Sequence, residues 1–427
     1  MLAALAIALT LQSAADDSPA VTWLKANAVA IRTTDIDATD VADLAPLKAA
    51  IGDARIVQIG EPSHGDGTGF LLRGRILKYL HRELGFDVVA FESGTFDCSV
   101  MMDKLRSDMA LDEALSYGVF SIWGASKQCR PFFDYARSTL TTERPLELAG
   151  LDLQFSGRGG EEFGSFVTAF FEGPALGAVD EAARKGVDMA IDRLFKPPYM
   201  PSPEQLDRDK AAIAAAITQM RAKQDEITKN VDARAFEFFV RCLENLAVQS
   251  EFRLLMQTGR DPIQTANLRD QRMGENLVWL ANERYAGKKI VVWSANGHCA
   301  HDVKRVDTHS TATNAAQRIS MGDVAHKALG DSMYTVLMTA RSGSFAMVNQ
   351  PAVKLDDAPA GALEAAIGSL GHAFAFVDLR GARADDAAWS NSSFVARPFS
   401  YAPRDAKWST MADAFLYVDV MEPSVLP

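Results

Sequence analysis

The sequence predicts an α/β fold: a mostly parallel or mixed central sheet flanked by helices, with a helical insertion. Three observations predict it. Short apolar runs recur at lengths suited to buried strands, amphipathic stretches separate the early runs, and residues 161–258 carry helical periodicity without a convincing strand. Strands alternating with helices connect by right-handed crossovers, which lay successive strands parallel.

In chain order, the opening MLAALAIALTLQSAADDSPA holds an apolar stretch too short to span a bilayer. Ser13 and Ala15 follow it as small residues suited to signal-peptidase cleavage, although no Lys or Arg precedes it. Residues 1–15 are therefore expected to be a signal peptide, and the mature chain periplasmic or secreted with no membrane span. Residues 16–160 form the first part of the core, with apolar runs at 55–59, 87–91 and 146–151 and an amphipathic helix at 69–84. Residues 161–258 form the helical insertion. Its two long periods are PEQLDRDKAAIAAAITQMRAKQDEI and DARAFEFFVRCLENLAVQSEFRLLM, and the Pro-rich FKPPYMPSP at 195–203 marks a hinge or loop at its centre. Asp232 is placed to cap the second helix, with Phe236, Phe239, Val240, Leu243 and Leu246 as its buried stripe. Residues 259–427 complete the core with runs at 289–293, 334–339, 373–377 and 414–418.

A hydrophobic share of 48% over 427 residues is enough to bury a large core. The formal charge of −11 and the lack of a lysine-rich run oppose a nucleic-acid partner or an anionic membrane surface, since both need a concentrated basic face. Cys98, Cys129, Cys242 and Cys299 form no C-x-x-C pair, which opposes a structural zinc knuckle. In an exported chain Cys98 can oxidise with Cys129, one of the alternative pairings. The sequence is silent on oligomeric state.

Four of the runs are followed at once by chemically capable residues. Glu61 and His64 follow the first, in RIVQIGEPSHGDG; Glu92 follows the second, Asp152 and Gln154 the third, Asn296 and His298 the fourth. In a parallel sheet the carboxyl ends share one edge, where ligands bind, so residues distant in sequence converge there. An imidazole is the usual general base at neutral pH, and a carboxylate on one ring nitrogen leaves the other to take a proton from water. His64 is accordingly expected to be the base, Glu61 and Glu92 its orienting acids, and Arg73 with His298 the groups that stabilise charge or position substrate. Asp152, Gln154 and Asn296 are the candidate substrate-binding residues. Arg73 and Asp152 also have ordinary readings, as an exposed helix residue and a turn cap. No G-x-S-x-G elbow and no H-E-x-x-H occurs, which favours direct hydrolysis by activated water, with no cofactor and no metal. The alternatives are a divalent metal among His64, Glu92 and His298, or at the His298 and His301 pair, and a non-catalytic binding protein.

The segments IGEPSHG, LLRGRILKYLHRELGFDVVAFESG, LAGLDLQ, RDQRMGENLVWL, VVWSANGHCAH and ADAFLYVDV together resemble the erythromycin esterase family, in order and spacing, from Trp23 to about Val420. The resemblance implies an α/β core with a helical insertion and metal-independent hydrolysis of a macrolide's lactone ester. By matching position it makes His64 the residue that activates water, beside Glu61, Arg73, Glu92 and His298. Two positions depart from the family pattern: Ala295 replaces the first histidine of the W-A-H-N-x-H segment, and Thr68 replaces a glutamate four residues after the G-E-x-x-H histidine. A small-molecule ester is the expected substrate; the alternative that Ala295 and Thr68 favour is a non-catalytic protein that binds a cyclic or polyketide-like ligand.

Overall fold

The structure, a computed structural model, describes residues 18–197, 199–306, 317–384 and 389–427. The expected leader at 1–15 lies outside them. The strands are β1 (Val29–Ile31), β2 (Ile56–Glu61), β3 (Phe86–Gly94), β4 (Glu147–Asp152), β5 (Lys289–Ala295), β6 (Met333–Phe345), β7 (Val353–Leu355), β8 (Phe374–Asp378), β9 (Phe394–Ala396), β10 (Arg404–Ala406) and β11 (Ala414–Met421). Nine of them form a mixed sheet in the order β1-β8-β11-β6-β2-β5-β3-β4, with β7 on β6, while β9 and β10 pair separately. The fold is α/β with helices flanking the sheet, as the apolar runs predict.

The chain divides into two compact units. One gathers the described residues of Met1–Glu92, Ser121–Glu147 and Lys288–Pro427; the other gathers Ser93–Phe120 and Leu148–Gly287. In the first unit, β2 runs parallel to both β5 and β6, and β3 runs parallel to β5. Their carboxyl ends therefore face one edge. The sheet is mixed because β8 runs antiparallel to β11 and β1, although its apolar run reads like that of any buried strand.

The helix Gly67–Leu84 follows β2 and ends at Gly85, whose φ of 76° is the left-handed geometry of a helix stop. It turns Phe70, Leu72, Arg73, Ile76, Leu77 and Leu80 inward. Phe70, Phe91, Phe132 and Trp293 pack there with ring centroids 5.3–6.4 Å apart, an apolar wall beside the end of β2.

The second unit is largely helical, with helices Phe163–Glu172, Glu181–Phe195, Pro203–Ala222, Ala233–Thr258 and Pro262–Trp279. It takes in more chain than residues 161–258. Asp232 caps its helix by accepting from the Arg234 amide, and the Phe236, Phe239, Val240, Leu243 and Leu246 stripe is buried. Ser202 and Gln205 close a capping box after the Pro-rich segment. All four cysteines are buried and form no disulfide, so Cys98 and Cys129 are not joined. Among the described residues no helix is long and apolar enough to cross a membrane.

Candidate active site

Glu61 ends β2 and is completely buried. A carboxylate so placed needs its lone pairs filled and its charge matched. Both conditions are met inside the first unit. Oε1 faces His64 Nδ1 at 2.6 Å and accepts from the Trp123 indole at 3.1 Å; Oε2 accepts from Arg73 Nη1 at 2.7 Å and from the Trp293 indole at 3.2 Å. Arg73 is itself fully buried, gives Nη2 to the Gly60 carbonyl at 3.2 Å and lies 4.3 Å from the Trp293 ring centroid. Its buried position sets aside the ordinary reading as an exposed helix residue, and the charge it stabilises is that of Glu61. It neutralises Glu61.

Because a carboxylate only accepts, the proton between Glu61 and His64 sits on Nδ1, which leaves the Nε2 lone pair available. His64 keeps 31% of its side chain exposed, and Trp123 meets its ring edge-on at 5.4 Å. Nε2 stands 4.0 Å from Glu92 Oε1, beyond hydrogen-bond reach. Glu92 belongs to β3, and its Oε2 accepts from Ser294 Oγ at 2.8 Å and the Ala295 amide at 2.9 Å, while Oε1 lies 3.2 Å from His298 Nε2. The ends of three parallel strands thus bring His64, Glu61, Glu92 and His298 together.

Burial, the largest influence on His64, pulls its pKa down. The hydrogen bond to Glu61 and the charges of Glu92 and Glu61 outweigh it, and the His64 imidazole is raised above the ordinary 6.5, with His298 opposing.

Other expected site residues are occupied differently. The Asn296 amide donates to the Met338 and Pro398 carbonyls at 2.8 and 2.6 Å and accepts from the Met338 amide at 3.1 Å, so it fastens backbone. Gly60 is what lets it approach, since a Cβ there lies 2.2 Å from Asn296 Oδ1. Asp152 and Gln154 belong to the second unit, where Asp152 pairs with Arg269 at 2.6 Å and accepts from Gln154 Nε2 at 3.0 Å. His301 parts from His298 and stacks on His326 at 4.4 Å; burial first, then His326, lowers it to about 4. Thr68 binds the Glu422 amide at 2.9 Å through Oγ1. Among the described residues no group of three or more His, Cys, Asp or Glu is arranged to hold a metal ion.

Sequence reasoning did not assign Trp123, Trp293 or Ser294 to the site. The one available signal is chemical: a buried indole N–H requires an acceptor, and Trp293 stands two residues before the end of β5.

Residues 81–420 match the family model for erythromycin esterase. The chain is 24% identical to the Bacillus subtilis (strain 168) protein YbfO, provisionally named a hydrolase, over 90% of this chain and 87% of that one. It is 20% identical to an erythromycin esterase type II of Escherichia coli, over 70% of this chain and 72% of that one. A solved structure of a histidine-to-asparagine mutant of erythromycin esterase EreC in its open conformation superimposes with a TM-score of 0.72 at 15% identity, covering 92% and 98% of the two chains.

Proposed function

The chain belongs to the erythromycin esterase family, which makes it a hydrolase, and on that premise we propose that it cleaves a carboxylic ester, a macrolactone among the candidates, with water activated by His64. The observation that carries the reading is the 2.6 Å contact of His64 Nδ1 with the buried Glu61, which leaves Nε2 as a base on a partly exposed ring. Nε2 takes a proton from water as the water oxygen bonds to the acyl carbon. The acyl C–O bond to the alcohol then breaks, and the imidazolium returns the proton to the leaving alkoxide. One water is consumed and one acid and one alcohol form. Glu61 fixes the tautomer and, with Glu92, stabilises the imidazolium; His298, held on Glu92 Oε1, is the second imidazole at the same edge. Arg73 acts through Glu61.

The proposed chemistry is metal-independent: His64 Nδ1 is engaged by Glu61, Glu92 Oε2 by Ser294 and Ala295, and Glu92 Oε1 by His298, which leaves His64 Nε2 to act on water directly. We also propose export, on the strength of the apolar opening stretch alone.

The test is mass spectrometry of macrolactones and simpler esters incubated with the protein, with and without chelator. A product heavier by one water is expected from the parent chain, and none from His64→Ala. Equal turnover by His64→Ala overturns the assignment, and turnover abolished by the chelator overturns its metal independence.

A further inference from the structure

Asp66 has no part in the reaction outlined above, yet it is completely buried at the end of the turn that carries His64. Two segments hold its carboxyl group: Oδ2 accepts from the Ser63 amide at 2.8 Å, and Oδ1 from the Tyr401 hydroxyl at 2.6 Å. Tyr401 and its neighbour Ser400 have φ of 60° and 49°. Two successive non-glycine residues in the left-handed region persist only where surrounding contacts hold them. The same loop gives the Ser400 amide to the Pro62 carbonyl at 3.3 Å, and the Gly65 carbonyl accepts the Ala346 and Ser424 amides at 3.2 and 2.9 Å. The backbone of the His64 turn is thus tied to three distant segments. Among the described residues, the tie of this turn to those segments that is made by two side chains is Asp66 to Tyr401.

We infer that Asp66 and Tyr401 are positioning residues, which fix the turn that presents His64 to Glu61 and so align the imidazole. The kinetic consequence rests on the proposed hydrolysis; the structural one does not.

The charged and titratable groups that act on Asp66 are Glu61 at the head of its turn, Arg73 from the helix that follows, and Tyr401, with Arg397 beside the tyrosine ring. Burial first, then the charge of Glu61, raise the Asp66 carboxyl to about 8 against the bonds from Tyr401 and Ser63 and the charge of Arg73. At neutral pH it is a neutral acid beside an anion that Arg73 already balances. Its ionisation puts a second negative charge next to Glu61.

The test uses the full chain. Tyr401→Phe removes only the hydroxyl. Asp66→Asn keeps a neutral group that accepts from Ser63 and donates to the tyrosine oxygen. The readouts are the His64 ring titration by NMR, assigned against His64→Gln, and kcat and KM on an ester cleaved in the panel above. Tyr401→Phe is expected to move the His64 titration by about half a pH unit and to lower kcat about tenfold with KM within about twofold. Asp66→Asn is expected to match the parent at pH 7 and to keep its rate above pH 8, where the parent declines. An unchanged His64 titration in Tyr401→Phe overturns the inference whatever the esters do. A shifted titration in a chain that cleaves no ester supports the positioning role and overturns the proposed function.

Discussion

Replacing Glu61 by Gln tests how the site chooses its base. The carboxylate takes four donors, two on each oxygen. An amide has one oxygen, and with Arg73 fully buried at 2.7 Å that oxygen must turn toward Arg73 and Trp293. The NH2 group then faces His64 and Trp123. It donates to His64 Nδ1, which forces the ring proton onto Nε2 and removes the lone pair that accepts the proton from water. The expected loss in kcat is on the order of 10³-fold or more, the scale on which a wrong tautomer acts in hydrolytic triads. Stability falls as well. The Trp123 indole loses its acceptor, at about 1–3 kcal/mol, and Arg73 loses its counter-charge, so a total of about 3–5 kcal/mol is expected. A double-mutant cycle by urea unfolding checks the second term: Arg73→Met should cost less when combined with Glu61→Gln than in the parent, since removing both partners of a buried pair is milder than removing one. Ring nitrogen chemical shifts report the tautomer directly. A Glu61→Gln chain that keeps its Nδ1–H tautomer, or its turnover, refutes the reasoning.

Further outcomes follow from the electrostatics of buried groups. His64 must be deprotonated to act, and its pKa is raised, so the acid limb of kcat/KM should lie above pH 6.5. Glu92→Gln removes one charge that raises it and should move that limb to lower pH; a limb that stays in place counts against the Glu92 contribution. In stability terms the raised His64 pKa favours the folded state below pH 6.5, and this contribution is lost as pH climbs through the folded value. Asp97, in the second unit, accepts the Ser156, Gly157 and Gly160 amides on Oδ1, and burial raises it to about 7 against those bonds. The folded state therefore holds a proton that the unfolded state releases near 3.8, and stability falls as pH rises from about 4 to about 7. Asp97→Asn keeps the oxygen that takes the three amides and cannot ionise. Measured by urea unfolding at pH 5 and pH 8, the variant should gain on the parent by on the order of a few kcal/mol between the two, and a constant difference rules this out.

What could be read from the sequence follows from how each residue reaches the site. Glu61, Glu92 and His298 stand at or just beyond the ends of apolar runs, and parallel pairing alone is enough to put such ends on one edge. His64 is legible because it lies three residues beyond Glu61. Arg73 is legible as a charge-stabilising group but not with its partner, since helical periodicity gives the face of a residue and not the acceptor waiting there. Trp123 and Tyr401 come from the short helix Ser121–Gly124 and from a loop, neither of which has a period to read. The strands β1, β7, β9 and β10 span three residues each and escape for the same reason. Asn296 shows the opposite error, because a polar residue at a strand end can serve the backbone as readily as a ligand, and composition does not separate the two. The decisive quantity is the number of donors converging on one buried acceptor. Glu61 collects four from a turn, two separate helices and a strand, and each is unremarkable until the others are in place. A chain that buries a carboxylate this deeply has to supply every one of them, and by doing so it also fixes which nitrogen of His64 is left to work.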